Sequence, residues 1–417
     1  MKALWVINSP IGTAAEKLGY SATDSGKWIK STEQKIKAAI PELEIVYVVM
    51  GNISRTVCDE KDKITVIELG KEIKKTRGKK TASVEIQVWK KLISEVKPEL
   101  IHIWGTEYSN FLDVINAFDD IPCIVTVQGV MSAISKYVSG NISFGEIIKE
   151  GPLALPSAIK YYLEIRNKRK QADIEKEIIA KSDCLLVDND WVRYFCNSVS
   201  NGLNYCYFPL PVSGEYASVK WDINNIRKNT LFSVAASSDM KGLHMLLKAV
   251  SMVKKDIPDI ILKIPGGDFI THYSSVKKPV YRRYIESFIK RYQLAENVQF
   301  VGKLTSGEMA EEFSKCNVFV MPSKIENQSS TLREAMYVGC PCISAFVGAT
   351  GELYNGSSLL MYRYEEYEVL AGMIKDLLLN EKKALEVAKC GKEYIASKYP
   401  IDDSLEECVS LYKKYMK

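Results

Sequence analysis

The sequence predicts an α/β protein made of two Rossmann-like, doubly wound domains. Short apolar runs rich in β-branched residues alternate with longer helical patterns along the whole chain, which is typical of parallel sheets with crossover helices. The runs form two series, separated near residues 207–216 by two prolines and a glycine that interrupt the periodicity. A length of 417 residues also favours two hydrophobic cores over one.

The two series of predicted strands define two domains. In the first half the strands are KALWVIN, EIVYVVM, ITVIEL, LIHIW, CIVTVQG and CLLVDN, and in the second half TLFSVAA, IILKIPGG, VQFVG, VFVMPS, PCISAF and SLLMY. We therefore predict a first domain over residues 1–208 and a second over 209–395, facing each other across a cleft. The amphipathic segment 396–417 is predicted to form a C-terminal helix that packs back on the first domain.

Composition and charge narrow the functional classes. The net charge of +5 arises from 56 basic and 51 acidic residues, an excess too small to indicate wholesale nucleic-acid binding. The ten cysteines and three histidines lack the spacing of a metal site, so no metal is predicted and the thiols are expected to be reduced. The apolar run at the N-terminus is too short for a signal peptide, and we expect a cytoplasmic protein.

The stretch IENQSSTLREAM, residues 325–336, is the first candidate site. It joins a predicted strand to a predicted helix, and ligands of doubly wound domains bind beyond the carboxyl ends of the strands. Ser329, Ser330 and Thr331 fall at the helix N-terminus, where free amides and the helix dipole suit a phosphate. Glu326 and Glu334 are placed to accept hydrogen bonds from a sugar on one side and a ribose on the other.

The role of Glu334 and that of a second candidate residue, Lys241, each have a purely structural alternative. Thr331 and Glu334 also have the spacing of a capping box, in which the glutamate would serve only the helix. Lys241 and Gly242 follow the first predicted strand of the second domain, where a cation could reach a diphosphate, yet a solvated lysine would show the same pattern. The presence of both elements in one domain favours a nucleotide-sugar site.

With these motifs the chain resembles the retaining glycosyltransferases of family four, which have the GT-B fold. The resemblance covers nearly the whole chain. In the second half it rests on the E-x7-E pattern of Glu326 and Glu334, on FSVAASSDMKG and on the closing-loop stretch FVGATGELYNGSSLLM. In the first half PELIHIWGTEYSNFLDV, CIVTVQGVMSAISKYVSG and the SGKWI of Gly26 are similar to the branch that builds bacterial surface polysaccharides.

The resemblance implies roles for individual residues. It implies that Glu326 contacts the hydroxyls of the donor sugar, Glu334 the ribose and Lys241 the diphosphate, with Gly26 as a further donor contact in the first loop. The chain departs from the family at two positions. Ala236 replaces an arginine, and Gln128 replaces a histidine near the sugar. Glutamine can hydrogen-bond a sugar but cannot take a proton near neutral pH, and Gln128 is a candidate catalytic residue on those terms.

The function implied by the resemblance is sugar transfer, with retention of configuration, from a nucleotide-diphosphate sugar to a hydroxyl of a glycan or lipid-linked glycan. The pathway expected is synthesis of capsule, exopolysaccharide or O-antigen, without cofactor or metal. A nucleotide-sugar epimerase and an inactive partner subunit of another glycosyltransferase are alternatives. The oligomeric state is not predicted.

Basic residues cluster at 71–80 and 164–170. Such clusters usually form a solvated helix face. The second cluster follows the aromatic and aliphatic stretch PSAIKYYL, and this combination suits an anionic bilayer surface. The sequence therefore also predicts weak peripheral contact with the inner face of the cell membrane.

Overall fold

The structure is a computed structural model of the whole chain. It describes residues 1–20, 26–76, 82–148, 154–236, 238–266, 279–327, 329–400 and 405–416. The first basic cluster lies partly outside these residues, at 77–80.

Strands and helices alternate along the chain. The strands are β1 (Lys2–Ile7), β2 (Glu44–Met50), β3 (Arg55–Asp59), β4 (Ile64–Leu69), β5 (Lys74–Thr76), β6 (Ala82–Val84), β7 (Leu100–Trp104), β8 (Cys123–Thr126), β9 (Cys184–Val187), β10 (Tyr205–Tyr207), β11 (Thr230–Phe232), β12 (Ile261–Ile264), β13 (Val298–Phe300), β14 (Val318–Met321), β15 (Cys342–Ala345) and β16 (Leu360–Tyr362). The α-helices are α1 (Gly12–Lys17), α2 (Lys27–Ala39), α3 (Ile86–Val96), α4 (Ser109–Ile115), α5 (Met131–Tyr137), α6 (Phe144–Ile148), α7 (Ala154–Lys181), α8 (Asp190–Val199), α9 (Glu215–Ser218), α10 (Leu243–Val253), α11 (Val280–Arg291), α12 (Ser306–Lys315), α13 (Ser330–Val338), α14 (Tyr367–Leu379), α15 (Glu381–Lys398) and α16 (Glu406–Tyr415).

Two compact units divide the chain. The first consists of Met1–Ser135, Lys168–Pro211 and Asp402–Lys417, and the second of Lys136–Asn167 and Val212–Ile401. The helix α16 therefore belongs to the first unit, where the hydroxyl of its Tyr412 lies 2.5 Å from Nδ1 of His102 on β7. Burial holds the pKa of His102 well below its usual value, so this buried histidine is neutral.

The first unit contains a sheet with strand order β10-β9-β8-β7-β1-β2-β4-β3. Every neighbouring pair is parallel except β3 with β4, and β1 pairs with both β2 and β7. The strands β1, β2, β7 and β8 are almost continuously apolar because helices cover both faces of a parallel sheet. Trp5 on β1 is fully buried and packs against Tyr47 and Trp104 of neighbouring strands.

The second unit contains a parallel sheet with strand order β13-β12-β11-β14-β15-β16. Separate hydrophobic cores lie on its two faces. One includes Leu246 of α10 and Ile374 of α14, and the other includes Phe313 of α12 and Met336 of α13. In both units the chain leaves the middle of the sheet in opposite directions, which makes each sheet doubly wound.

These sheets confirm the predicted α/β architecture. Each predicted strand is present, as β1, β2, β4, β7, β8, β9 and β11 to β16. Residues 136–167 differ from the predicted domain boundaries, which place them in the first domain. They join the second unit because Ile142, Ile147 and Ala158 pack in its core, and because the Gly140 carbonyl accepts a hydrogen bond from His244 Nε2 at 2.9 Å.

Among the described residues, no helix has both the length and the apolar character needed to cross a membrane. All ten cysteines are free thiols, and eight of them are buried.

Candidate functional site

The two central strands of the second sheet, β11 and β14, mark the point where its topology reverses. They pair in parallel, with Leu231 opposite Val318 and Phe232 opposite Phe319. The chain continues from β11 to β12 on one side of this pair and from β14 to β15 on the other. Ligand crevices of open α/β sheets form at such a reversal, between the loops at the carboxyl ends of the strands.

The loops after β11 and β14 bring Lys241 and Glu326 together. Lys241 Nζ donates to Glu326 Oε1 at 2.6 Å. The side chains are only 26% and 10% exposed, so this contact is not a solvated surface pair. Lys241 ends the short helical turn Asp239–Lys241, and Glu326 follows the end of β14 by five residues. The solvated-lysine interpretation of Lys241 is therefore wrong.

Close backbone packing fixes the position of Lys241. Gly242 has φ +74°, and a Cβ on it would lie 1.9 Å from the carbonyl oxygen of Pro322. The Lys324 amide also donates to the Met240 carbonyl at 2.7 Å. Because any larger residue at 242 would collide with backbone, glycine is required for the two loops to approach.

A third loop, which follows β15, contacts the backbone of Glu326. The Ala349 amide donates to the Glu326 carbonyl at 3.1 Å. Gly348 has φ +52°, and a Cβ there would lie 1.9 Å from the same carbonyl oxygen. The turn Gly348–Leu353 lies in the stretch that resembles the family's closing loop. The sequence pointed to this stretch, but not to the contact of Gly348 with Glu326.

Helix α13 begins at the far end of the loop that carries Glu326. Ser329 is its N-cap residue, with φ +49°, and the Oγ atom of Ser329 is buried without a hydrogen-bond partner among the described residues. Ser330 and Thr331 form the first turn, whose amides lack helical acceptors. Since the helix starts at Ser330, Thr331 is not an N-cap, and the capping-box interpretation of Thr331 and Glu334 is wrong.

Glu334 lies about one turn into α13, in a partly buried position. Burial raises the pKa of this carboxyl group to about 7, although a hydrogen bond from the Tyr216 hydroxyl opposes the shift. Tyr216 also bonds Ser306 at the start of α12. A carboxyl group poised near neutrality can accept hydrogen bonds from a diol when it is ionised.

A buried acid begins the turn that carries Lys241. The Asp239 carboxylate accepts hydrogen bonds from the Tyr161 hydroxyl and from the Met240 amide. Burial raises the pKa of Asp239 to about 7. Gly140, with φ +56°, packs so closely that a Cβ on it would lie 2.3 Å from the Asp239 carbonyl oxygen. Sequence reasoning missed these contacts, since Tyr161 and Asp239 are 78 residues apart.

The predicted residues Gln128 and Gly26 lie in the first unit. Gln128 follows β8 and is partly buried. Gly26 caps α2 with φ +88°, and a Cβ on it would lie 2.7 Å from the Gly12 nitrogen. Trp28, two residues on, packs against Trp104 at 5.4 Å between ring centroids. This geometry gives Gly26 a packing role, while a contact with the donor stays a prediction.

The first unit has its own reversal point, between β1 and β7. The loops after these strands meet where the Tyr108 hydroxyl bonds the Asn8 side chain. Glu107 lies in the same loop, and its Oε2 accepts the Thr106 amide at 2.9 Å. Burial, with a smaller contribution from the negative charge of Glu175, raises the pKa of Glu107 to about 7.

Two glycines leave room for the Glu107 carboxylate at the strand ends. A Cβ on Gly105 would lie 2.3 Å from Glu107 Oε2, and a Cβ on Gly129 would lie 3.2 Å from Oε1. The stretch WGTEYSN carries part of the family resemblance, but Glu107 was not among the predicted site residues. An acidic residue shortly after a buried strand was the available signal, because β7 ends at Trp104.

Among the described residues, these groups are accompanied neither by a metal-binding cluster nor by a cation at the position of the family's arginine. The described residues contain no set of three or more His, Cys, Asp or Glu side chains arranged to hold a metal ion. Ala236, at the position of the family's arginine, is buried. Lys324 lies beside the lysine turn, but its Nζ contacts Glu365.

Comparisons with known proteins identify what this arrangement is similar to. Residues 220–394 match the family model described as "Glycosyl transferases group 1". The uncharacterized glycosyltransferase MJ1178 of Methanocaldococcus jannaschii is 25% identical over 342 residues, which cover 80% of this chain and 86% of that protein. The matched family region contains Lys241, Glu326, Glu334 and Gly348.

Solved structures resemble the chain over its whole length. Sucrose-phosphate synthase from Thermosynechococcus elongatus superposes with a TM-score of 0.72 at 16% identity, covering 99% of this chain and 98% of that one. Anabaena Alr3699/HepE in complex with UDP and glucose gives a TM-score of 0.65 at 12% identity, covering 99% and 100%. The chain has the GT-B fold, and residues 220–394, within its second unit, are similar to the group 1 glycosyl transferases.

Proposed function

We propose that this chain transfers a sugar from a nucleoside-diphosphate sugar to a hydroxyl acceptor, with retention of the anomeric configuration. The observation that carries the proposal is the largely buried contact of Lys241 with Glu326 at the reversal point of the second sheet, beside the N-terminus of α13. A cation, free amides and a carboxylate at one strand edge suit a ligand that carries a diphosphate and a sugar.

Each group has a role in this reaction. Lys241 donates to a diphosphate oxygen, and the first-turn amides of α13 donate to the same anion. Glu326 accepts a hydrogen bond from a sugar hydroxyl, and Glu334 accepts from the ribose. Lys241 and the amides then stabilise the negative charge that develops as the diphosphate departs, which is the usual main electrostatic contribution to such catalysis.

Retention follows from a same-face displacement. The bond between the anomeric carbon and the diphosphate oxygen breaks, and its electron pair stays with the oxygen. The acceptor oxygen bonds to the same face of the anomeric carbon, and its proton passes to the departing phosphate oxygen. The products are a glycoside and a nucleoside diphosphate, and no protein nucleophile takes part.

The proposal also covers where the acceptor binds and in which cellular process the reaction takes part. We place the acceptor, a glycan or a lipid-linked glycan, at the strand edge of the first unit that carries Glu107 and Gln128. The role we favour is surface-polysaccharide synthesis on the cytoplasmic side of the membrane, in keeping with the ten free thiols. The epimerase and inactive-subunit alternatives are less well supported, since the matched family and the relative from M. jannaschii are glycosyltransferases.

A donor-only experiment tests the reaction type before the acceptor is known. UDP-glucose is the first donor to try, because HepE was solved with UDP and glucose. The purified chain is incubated with UDP-glucose, and the products are followed by proton NMR. We expect slow hydrolysis that releases UDP and, first, α-glucose, with water as the acceptor. Initial release of β-glucose would contradict retention, and a new nucleotide-sugar would support an epimerase.

Inactivity with UDP-glucose calls for the same assay with other nucleotide-sugars. A thermal-shift series with UDP, GDP and ADP identifies the nucleotide, because a ligand stabilises the folded state according to its affinity. Failure of every nucleoside diphosphate to stabilise the chain would contradict the proposed donor site.

A further inference from the structure

Helix α7 exposes a row of large aliphatic side chains. Leu155, Ile159 and Leu163 are 43%, 48% and 54% exposed. Residues four apart on a helix advance by about 40° around its axis, so these three form one continuous stripe. Single exposed apolar residues are common, but an aligned row of this kind marks a surface that binds something.

Helix α7 cannot rotate about its axis to bury this stripe. The neighbouring face of α7 is already used, because Ala158 is fully buried and Tyr161 and Tyr162 pack against the core of the second unit. Phe144 of α6 extends the apolar surface, since it is 38% exposed and packs edge-to-face on Tyr162 at 5.3 Å. The apolar side chains therefore face water while the helix is firmly anchored.

Cations continue the same stripe. At about 100° per residue, Arg166 and Lys170 fall within the arc of about 80° that contains the aliphatic row. Both are exposed, as is Arg169, and none of the three forms an ion pair with a described residue. Acidic residues on this face, Asp173 and Glu177, come only in later turns.

We infer that this face of α7 lies on an anionic lipid bilayer, with Leu155, Ile159 and Leu163 entering the interface and Arg166 and Lys170 meeting lipid phosphates. The charge pattern selects this occupant. An aliphatic row that ends in cations without an ion pair to any described residue complements a surface that is apolar inside and negatively charged outside. The inference does not depend on the proposed donor chemistry.

Vesicle sedimentation with the full chain tests the surface. The vesicles are phosphatidylcholine alone or phosphatidylcholine with phosphatidylglycerol. We expect the chain to bind only the anionic vesicles, and added salt to weaken binding. Replacing Leu155, Ile159 and Leu163 together with Gln, a good helix former, should lower binding by about tenfold or more. Arg166→Gln with Lys170→Gln should lower it by about fivefold per cation.

The matched control removes two exposed leucines elsewhere in the second unit. Leu379 and Leu385 are 73% and 44% exposed, on α14 and α15, and their replacement by Gln should leave binding unchanged. Melting temperatures of all variants should match the parent, because the substituted side chains are exposed.

Three results would overturn the inference. The first is equal sedimentation of the parent chain with and without phosphatidylglycerol, or none with either. The second is equal binding by the parent and the triple variant. The third is dimerisation of the parent chain that is lost in the triple variant without any binding to vesicles, which would make the stripe a protein interface.

Discussion

Glu326 and Glu107 occupy equivalent places in the two units but have opposite electrostatic surroundings. Each follows one of the two strands at which its sheet reverses direction, Glu326 after β14 and Glu107 after β7. Glu326 contacts Lys241 at 2.6 Å, close to the N-terminus of α13. Glu107 has no lysine or arginine partner among the described residues and is held by the Thr106 amide.

The difference indicates what each strand edge can bind. Lys241 and the free amides of α13 make the edge of the second unit attractive to an anion. The edge of the first unit contains Glu107 and the nearby Glu175, whose pKa is also raised by burial. An uncompensated carboxyl group repels a phosphate but accepts hydrogen bonds from neutral hydroxyls. The fold thus repeats, while the charges favour an anionic ligand at the edge of the second unit and a neutral, hydroxyl-bearing ligand at the edge of the first.

Removing the cation of the second unit should have the largest effect. Lys241→Met keeps much of the side-chain volume but deletes a charge-assisted hydrogen bond worth about 1.5–3 kcal/mol. Affinity for UDP should fall about ten- to a hundredfold in calorimetry, and transfer should fall further. Lys375→Met is the control, since Lys375 pairs with Asp256 on the surface. Equal UDP affinity in the Lys241 variant and the parent would exclude Lys241 from the site.

Neutralising the carboxylate of the second unit should separate the sugar from the nucleotide. Glu326→Gln can still accept a hydrogen bond from Lys241, but it loses the charged acceptor for a sugar hydroxyl. Donor hydrolysis or transfer should fall about ten- to a hundredfold, while UDP affinity changes little, because UDP lacks the sugar. A Glu326 variant with parental turnover would show that the carboxylate has only a structural role.

Gly348 tests whether the position of Glu326, and not only its charge, matters. In Gly348→Ala the new methyl group would meet the Glu326 carbonyl oxygen, at a backbone conformation that costs alanine about 1 kcal/mol. We expect turnover to fall about tenfold as the Glu326 loop shifts. Gly372→Ala is the matched control, because nothing lies within 4 Å of its added Cβ, and alanine there should stabilise α14. Parental turnover in Gly348→Ala would contradict this support.

Glu107 tests the acceptor side of the comparison. Glu107→Gln should raise KM for an octyl glycoside as the acceptor substrate by several-fold up to about tenfold. The reason is the loss of one hydrogen bond from a substrate hydroxyl to the charged carboxylate. UDP affinity and donor hydrolysis should stay as in the parent. With the donor at saturation, KM of the parent for this acceptor should fall as pH rises through about 7, where Glu107 ionises, and the variant should lack this fall. A Glu107 variant with weakened UDP binding would reverse the assignment of the two edges.

The fold was predictable because its signals are local. Apolar runs and the breaks between them predicted the strands that build both sheets. The β3 strand was missed because it is an edge strand with largely exposed residues. The β10 strand was missed because it runs directly into the proline-containing stretch 207–216, the predicted domain boundary. The assignment of residues 136–167 could not be read locally, since it depends on contacts such as the one between Gly140 and His244, 104 residues apart.

The same limit applies to the candidate site. Glu326 and Lys241 were predictable because each follows a buried strand, and the order of strands then brings them together. The hydrogen bond between Tyr216 and Glu334 joins two stretches that are distant in the sequence, and neither stretch contains a pattern that predicts it. The capping pattern at Thr331 misled because the Ser329 backbone starts the helix two residues earlier than that pattern requires.

The smallest expected effect concerns Glu334, and it depends on pH. Burial raises the pKa of Glu334 to about 7, so this carboxyl group is largely charged only above that pH. If the ionised form binds the ribose, UDP affinity should rise about fourfold between about pH 6.5 and about pH 8. Glu334→Gln should lack this rise. Because UDP itself titrates in the same way with both proteins, comparing the variant with the parent removes the contribution of UDP.

The free energy of unfolding should change with pH in the direction opposite to UDP affinity. Measuring both shows whether Glu334 binds the ribose or has only a structural role. The folded chain holds the Glu334 proton to a higher pH than the unfolded chain, so the free energy of unfolding falls as pH rises from the ordinary value of 4.5 to about 7. Glu334→Gln removes this fall and should be relatively more stable above pH 7. A variant that alters only the pH dependence of melting, with UDP affinity parallel to the parent at every pH, would show that Glu334 does not bind the ribose.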